Sequence, residues 1–153
     1  MLIFTDGAAA PTNPGPGGYA AIIVTPHGEQ VVSGGFQHTT NQRAEVFAAI
    51  AVIETLPPGT SATVISDSSY LVTGYNVWLP KWKLKGWRAS KGPVENRDLW
   101  ERLIAVCADR KITFKWIKRE SDTFNVKADA IANEATTRDD LPVDEGYVSR
   151  LAA

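Results

Sequence analysis

Four carboxylates in this chain stand where carboxylates are expensive. Asp6 closes the apolar run Leu2 to Thr5, and Asp67 closes the β-branched run Ala62 to Ser66. Glu45 is the only charge between Ala44 and Ile53, and Asp129 stands between Ala128 and Ala130. Each alone has an ordinary explanation, since most carboxylates are surface or capping groups. Asp6 could cap a turn, Asp67 could cap the helix after it, and Asp129 could face solvent. Glu45 fits that explanation least, because its segment has so little polar surface. Taken together, the four suggest different chemistry. The ends of neighbouring strands lie close, and a helix packed on their sheet can present a carboxylate at the same spot. Such a cluster repels itself unless cations neutralise it. Hard oxygen donors suit Mg²⁺, with Mn²⁺ as an alternative. Two such ions about 4 Å apart could share a phosphodiester, one activating water and the other stabilising the leaving oxygen.

The composition narrows the field. At 153 residues, with 44% hydrophobic and 22% charged residues, the chain suits one soluble globular domain. No apolar run approaches the ~20 residues of a membrane span, and Met1 to Asp6 offers no basic leader, so cytoplasmic residence without a membrane partner is expected. One cysteine, Cys107, precludes an intrachain disulfide and reads as a buried, inert thiol. Two histidines and that cysteine are too few for an ordinary zinc site. Neither His27, in a hairpin, nor His38, at a strand end, looks catalytic. The net charge of −1 hides a segregated distribution: residues 81–91 carry five cations and no acid, while Asp139, Asp140, Asp144 and Glu145 gather near the end.

The elements that must position these groups are legible in outline. Leu2–Thr5 predicts a short strand ending at Asp6-Gly7. Pro11 to Gly18, with three prolines and three glycines, predicts a turn that excludes helix and central strand. Tyr19–Thr25 and Gln30–His38 predict a hairpin. A helix capped by Thr40 or Asn41 should run to about Thr55, stopped by Pro57-Pro58-Gly59 and buried on most sides. Ala62–Ser66 predicts a strand, Ser68–Trp78 a helix, and Leu99 to Cys107 a helix starting near Pro93. Ile112–Ile117 has strand alternation, and Val126–Ala135 predicts a last helix capped by Asn125. An antiparallel meander followed by alternating helix and strand implies an α/β domain with a mixed sheet. It spans residues 1–135, with a basic protrusion near 78–92. The tail, 136–153, could pack on the domain or stay free of it.

The words around the acids carry a resemblance. Phe4-Thr5-Asp6-Gly7 with Asn13-Pro14-Gly15-Pro16-Gly17-Gly18 resembles the opening of bacterial type 1 ribonuclease H. Thr39-Thr40-Asn41-Gln42-Arg43-Ala44-Glu45 resembles that family's T-T-N-x-R-x-E segment, and Ser66-Asp67-Ser68-Ser69-Tyr70 its S/T-D-S-x-Y segment. Trp78, Lys81-Trp82-Lys83, Gly86-Trp87 and Asp98-Leu99-Trp100 resemble its helix, basic protrusion and following helix. Asn125 to Ala132 resembles the closing N-x-x-A/C-D-x-L-A segment. The match runs in order from residue 2 to about 135.

The resemblance implies a ribonuclease H-like fold, a five-stranded mixed sheet with helices on both faces. It implies endonucleolytic cleavage of the RNA strand of RNA/DNA hybrids by a monomer, leaving 5′-phosphate and 3′-hydroxyl ends. Asp6, Glu45, Asp67 and Asp129 match the family's metal-binding carboxylates. Thr40 and Asn41 match residues that hold a DNA-strand phosphate, and a hydroxyl, an amide and a helix start supply suitable donors. Asn13 lies in the opening motif, and Ser69 stands where a glutamine often contacts the minor groove. In the protrusion, Lys81, Lys83, Lys85 and Arg88 could neutralise phosphates, while Trp78, Trp82 and Trp87 brace it or pack on sugars. A solvated helix face is the plainer alternative.

Departures from the family pattern are local. The usual glycine-histidine loop is replaced by Lys118-Arg119-Glu120-Ser121-Asp122-Thr123-Phe124, with Glu120 where the histidine would be. Glu120 could carry protons or bind a metal water, or be an ordinary loop acid. The loop Ala8–Thr12 is one residue longer than usual and lacks its serine. The rivals are another nuclease or strand-transfer enzyme on this fold, such as an integrase or junction resolvase, and a non-catalytic hybrid-binding module.

Overall fold

The computed structural model describes residues 1–152. Strands β1 (Leu2–Ala9), β2 (Gly15–Thr25) and β3 (Gly28–Thr39) form an antiparallel meander, followed by helix α1 (Asn41–Ile53) and strand β4 (Ser61–Ser66). Helix α2 (Ser69–Thr73) runs through a π-helical turn (Gly74–Trp78) into α3 (Leu79–Leu84). The minimal strands β5 (Arg88–Ala89) and β6 (Gly92–Pro93) pair with each other. Helix α4 (Arg97–Cys107), strand β7 (Lys111–Trp116), and helices α5 (Thr123–Ala135) and α6 (Glu145–Ala152) complete the order. The main sheet has the order β3-β2-β1-β4-β7; β1 pairs β4 in parallel, and β4 pairs β7 in parallel. The expected five-stranded mixed sheet is therefore present.

Strand alternation assigns the two faces. Ile3, Ala21 and Ile23 face α1, where Val46, Ile50, Val52 and Ile53 are fully buried. Each fully buried valine or isoleucine contributes about 1.5–3 kcal/mol, and α4 extends this core with Leu99, Trp100 and Leu103. On the other face Phe4 meets Phe124 of α5, ring centroids 5.4 Å apart. No helix among the described residues is long and apolar enough to cross a membrane.

Several element boundaries differ from the sequence expectation for identifiable reasons. Strand β1 does not stop at Thr5: it continues to Ala9 because β2 begins at Gly15 and supplies partners as far as Gly17. Three glycines of the predicted turn are therefore ladder residues, and only residues 10–14 turn. The helix predicted to end at Trp78 continues to Leu84: the π-helical turn Gly74–Trp78 carries the chain directly into α3, whose first turn holds Pro80. Helix α4 begins at Arg97 rather than near Pro93, which is held in the β5–β6 pair; Asn96, at φ 60°, starts the helix from a left-handed conformation that asparagine tolerates. Asp122, not Asn125, caps α5 by accepting the Phe124 N–H at 2.8 Å.

The acidic tail packs on the domain. Arg43, fully buried on α1, donates Nε to Asp144 Oδ2 at 2.8 Å and Nη2 to Asp98 Oδ2 at 2.7 Å. Thr39 adds a hydroxyl donated to Asp144 at 2.6 Å.

Candidate active site

The parallel pair β1–β4 ends with Phe4 opposite Ile65, so β1 runs beyond its neighbour and a crevice opens at the carboxyl ends of the strands. Open sheets bind ligands at such places. Asp6 lies in β1 opposite Ala20, just past the end of that pairing. Asp67 follows β4 immediately, and Ser68 then caps α2 by accepting the Leu71 N–H at 3.1 Å.

Two close approaches bring in the remaining acids. A Cβ at Gly7 would collide with the backbone of Ala44 and Glu45, so glycine lets the first turn of α1 rest directly on β1. A Cβ at Gly18 would collide with the Ala132 carbonyl, so glycine lets α5 approach with Asp129. Oxygens of Asp6, Glu45 and Asp67 consequently lie within 4.8 Å of one another. Asp129 lies beside Asp6 and raises its pKa, and all four acids line one cavity of about 560 Å³.

The electrostatics are those of crowded, poorly solvated anions. Burial pushes Asp6 up to about 7; a hydrogen bond with Glu45 opposes this, while Asp129 and Asp67 reinforce it. Burial also raises Glu45 well above the ordinary carboxylate range, and the neighbouring Asp6 raises it further. Asp6 Oδ2 and Glu45 Oε2 are buried without a hydrogen-bond partner. Orphaned carboxylate oxygens of this kind fit a hard divalent cation, which takes oxygen donors and offsets their repulsion. The outer acids have support: Asn125 Nδ2 donates to Asp67 Oδ2 at 3.3 Å, and Asn133 Nδ2 donates to Asp129 Oδ1 at 3.2 Å.

Other residues singled out from the sequence divide into three groups. Asn41 and Ser69 line the cavity. Asn13 pins the 10–14 turn to the start of α1, donating to Asn41 Oδ1 at 2.9 Å and accepting the Asn41 N–H at 3.1 Å. Thr40 caps α1 by accepting the Arg43 N–H at 3.2 Å. Lys81, Lys83, Lys85 and Arg88 are exposed on the protrusion, outside the cavity wall. Their platform is aromatic: Trp82 packs on Trp78 and Trp100 at 5.9 and 5.7 Å. Tyr70, itself in the cavity wall, packs on Trp78 and Trp100 at 6.3 and 5.4 Å and closes a four-ring cluster. Trp87 lies under the Arg97 guanidinium at 5.1 Å.

Glu120 is not brought to the carboxylates. It lines a shallow groove with Ser121, Asp122, Thr123 and Val126, while its neighbour Arg119 lines the cavity. Sequence reasoning missed Arg119, Gln42, Tyr70 and Asn133. Tyr70 and Gln42 lay within the quoted motifs and Asn133 one helical turn past Asp129, but loop residues such as Arg119 carry no periodic signal.

Comparison with known proteins agrees with this geometry. Residues 1–137 match the family model described as RNase H. The chain is 41% identical over 150 residues to the ribonuclease H of Syntrophus aciditrophicus, covering 96% of this chain and 86% of that one. It is 39% identical over 152 residues to the ribonuclease H of Nitratidesulfovibrio vulgaris, covering 97% of each. Among solved structures, LC9-RNase H1 shares the fold at a TM-score of 0.77 and 22% identity, covering 99% of this chain and 80% of that one. LC11-RNase H1 in complex with RNA/DNA hybrid aligns at a TM-score of 0.68 and 26% identity, covering 88% of this chain and 95% of that one. Sequence, fold and family model coincide over nearly the whole length, and the chain belongs to the ribonuclease H family of hydrolases.

Proposed function

We propose that this protein cleaves the RNA strand of RNA/DNA hybrids, with Asp6, Glu45, Asp67 and Asp129 holding two Mg²⁺ ions when substrate is bound, and leaves 5′-phosphate and 3′-hydroxyl ends. The observation that carries the reading is the convergence of Asp6, Glu45 and Asp67 oxygens within 4.8 Å, two of these acids having a buried oxygen without a partner. Bound divalent ions would supply a water of lowered pKa and positive charge beside the cleaved phosphate.

The chain's own residues then set position. Asp67, oriented by Asn125, and Asp129, oriented by Asn133, hold the rim of the site. Thr40, Asn41 and the first turn of α1, braced by Asn13, hold a phosphate of the uncut strand. Ser69 faces the same space. Lys81, Lys83, Lys85 and Arg88 hold the duplex backbone by charge, and Trp78, Trp82 and Trp87 fix their platform. The neighbour LC11-RNase H1, solved with a hybrid, supports this choice of substrate. Glu120 serves as a loop acid. The buried Cys107 thiol suits a reducing compartment, so the proposed setting is the cytoplasm, where the protein is taken to act as a monomer.

The test is a labelled RNA/DNA hybrid incubated with Mg²⁺ or Mn²⁺, beside single-stranded RNA, duplex RNA and duplex DNA. Cleavage confined to the hybrid's RNA strand is expected. Asp67→Asn should abolish it while leaving hybrid binding largely intact. Cutting of duplex DNA would favour the rival nucleases, and full activity of Asp67→Asn would overturn the metal assignment.

A further inference from the structure

The loop between β7 and α5 sends two consecutive side chains to different places. Glu120 takes a left-handed backbone, φ 61°, and its N–H donates to Asn125 Oδ1 at 2.8 Å. Glu120 lines the outer groove, and Arg119 lines the wall of the cavity that holds Asp6, Asp67 and Asp129. Arg119 is exposed, and among the described residues it has no ion pair, although acids share its cavity. Arg43, Arg97, Arg102, Arg110 and Arg138 all have carboxylate partners.

The chemistry of the group limits what it can do there. A guanidinium stays protonated throughout the working range, so it neither takes nor gives a proton. Its planar fork matches the oxygens of carboxylates and phosphates. Since Arg119 is not spent on a carboxylate, the fork is left for an anion entering the cavity. The anions that enter are backbone phosphates of the strand lying over the carboxylates.

We propose that Arg119 is a substrate contact that grips a phosphate of the cleaved strand beside the carboxylate cluster. This rests on the hybrid-cleavage reading above. In consequence the β7–α5 loop contributes a fixed positive charge beside the carboxylates, and Arg119 carries no proton in the reaction.

The experiment compares the wild-type protein with Arg119→Ala, Arg119→Lys and Glu120→Gln. Hybrid affinity is measured by fluorescence anisotropy in EDTA across a salt series, and single-turnover cleavage in Mg²⁺. Arg119→Ala should weaken binding and slow cleavage by about tenfold, and reduce the slope of log affinity against log salt by about one. Arg119→Lys should restore the slope but only part of the rate, because it returns the charge without the fork. Glu120→Gln should match the wild type. Single phosphorothioates placed along the RNA strand should reveal one position that slows the wild type and leaves Arg119→Ala unaffected. If Arg119→Ala binds and cuts within about twofold of the wild type with an unchanged slope, the contact is overturned while the nuclease reading stands. A wild-type protein that leaves hybrids uncut would overturn both.

Discussion

Asn125, buried in the first turn of α5, donates its side-chain amide to Asp67 across 58 residues at 3.3 Å. The same side chain accepts the Glu120 N–H, so one residue orients a carboxylate and shapes the loop beside it. Asn125→Ala should leave that amide and Asp67 without their mutual partner. We expect a loss of about 1–3 kcal/mol in urea denaturation, and a 10–100-fold weaker affinity for Mg²⁺ by titration calorimetry. A variant with normal metal affinity would show that Asp67 needs no such support.

The metal-free site should make stability depend on pH in an unusual direction. Asp6 is raised from 3.8 to about 7, so the folded state holds a proton that the unfolded state has released between those values. Stability therefore falls as pH rises through that window, and Glu45, raised in the same sense, adds to the fall. Metal must displace those protons, so its affinity should drop steeply below pH 7. Thermal melts in EDTA and in Mg²⁺, at mildly acid and mildly alkaline pH, test this. The stabilisation by Mg²⁺ should be clearly larger on the alkaline side.

The Arg43 cluster should act in the opposite sense. Arg43 holds Asp98 below the ordinary carboxylate range; burial pushes Asp144 up, but hydrogen bonds from Arg43 and Thr39 outweigh it and lower it too. Depressed acids contribute stability that is fully present above the unfolded value of 3.8 and lost as pH falls through the folded values. Asp98 is half exposed and contributes the smaller share. Asp144→Ala should cost roughly 3–5 kcal/mol, because it strips a buried guanidinium of a partner. Urea midpoints against pH should show the wild type losing its advantage over the variant in acid.

The left-handed Glu120 offers a separation of structure from chemistry. Relief of a left-handed non-glycine residue is worth about 1–2 kcal/mol, against about 0.5–1 kcal/mol for glycine's extra freedom when unfolded. Glu120→Gly should thus stabilise the protein by roughly 0.5 kcal/mol and leave cleavage unchanged. Loss of cleavage with intact binding would return Glu120 to the reaction.

The protrusion should be loosened from beneath. Trp82→Ala removes two ring contacts, worth about 0.5–1.5 kcal/mol each beyond area burial. Hybrid KM should rise while kcat holds, since the carboxylates are untouched. Neutralising Lys81 and Lys83 together should instead flatten the salt dependence by about two units of slope.

Sheet, meander and principal helices were readable because their apolar periods are intact, and the four acids because each interrupts one. Strand ends were less readable. The glycines at 15, 17 and 18 look like turn residues in sequence, yet serve as ladder residues where side chains would collide with Thr12, Thr39 and Ala132. Asn125 looks like a helix cap because its use, support of Asp67, depends on a partner 58 residues away. Arg119 and Glu120 are adjacent in sequence, yet one lines the cavity and the other the outer groove, and nothing periodic in the loop foretells which.

The reach of Arg43 to Asp144 also bears on the order in which the molecule can be made. A chain emerging from the ribosome has all five strands of the main sheet available before Asp144 arrives. Until then a guanidinium buried under α1, in the turn that presents Glu45, lacks one of its two carboxylates. With only the half-exposed Asp98 to compensate it, that charge holds the turn less firmly. Synthesis should therefore settle the turn that presents Glu45 into its native form only once the tail has followed, so a chain that stops short of Asp144 should hold its carboxylate cluster less firmly than the full chain.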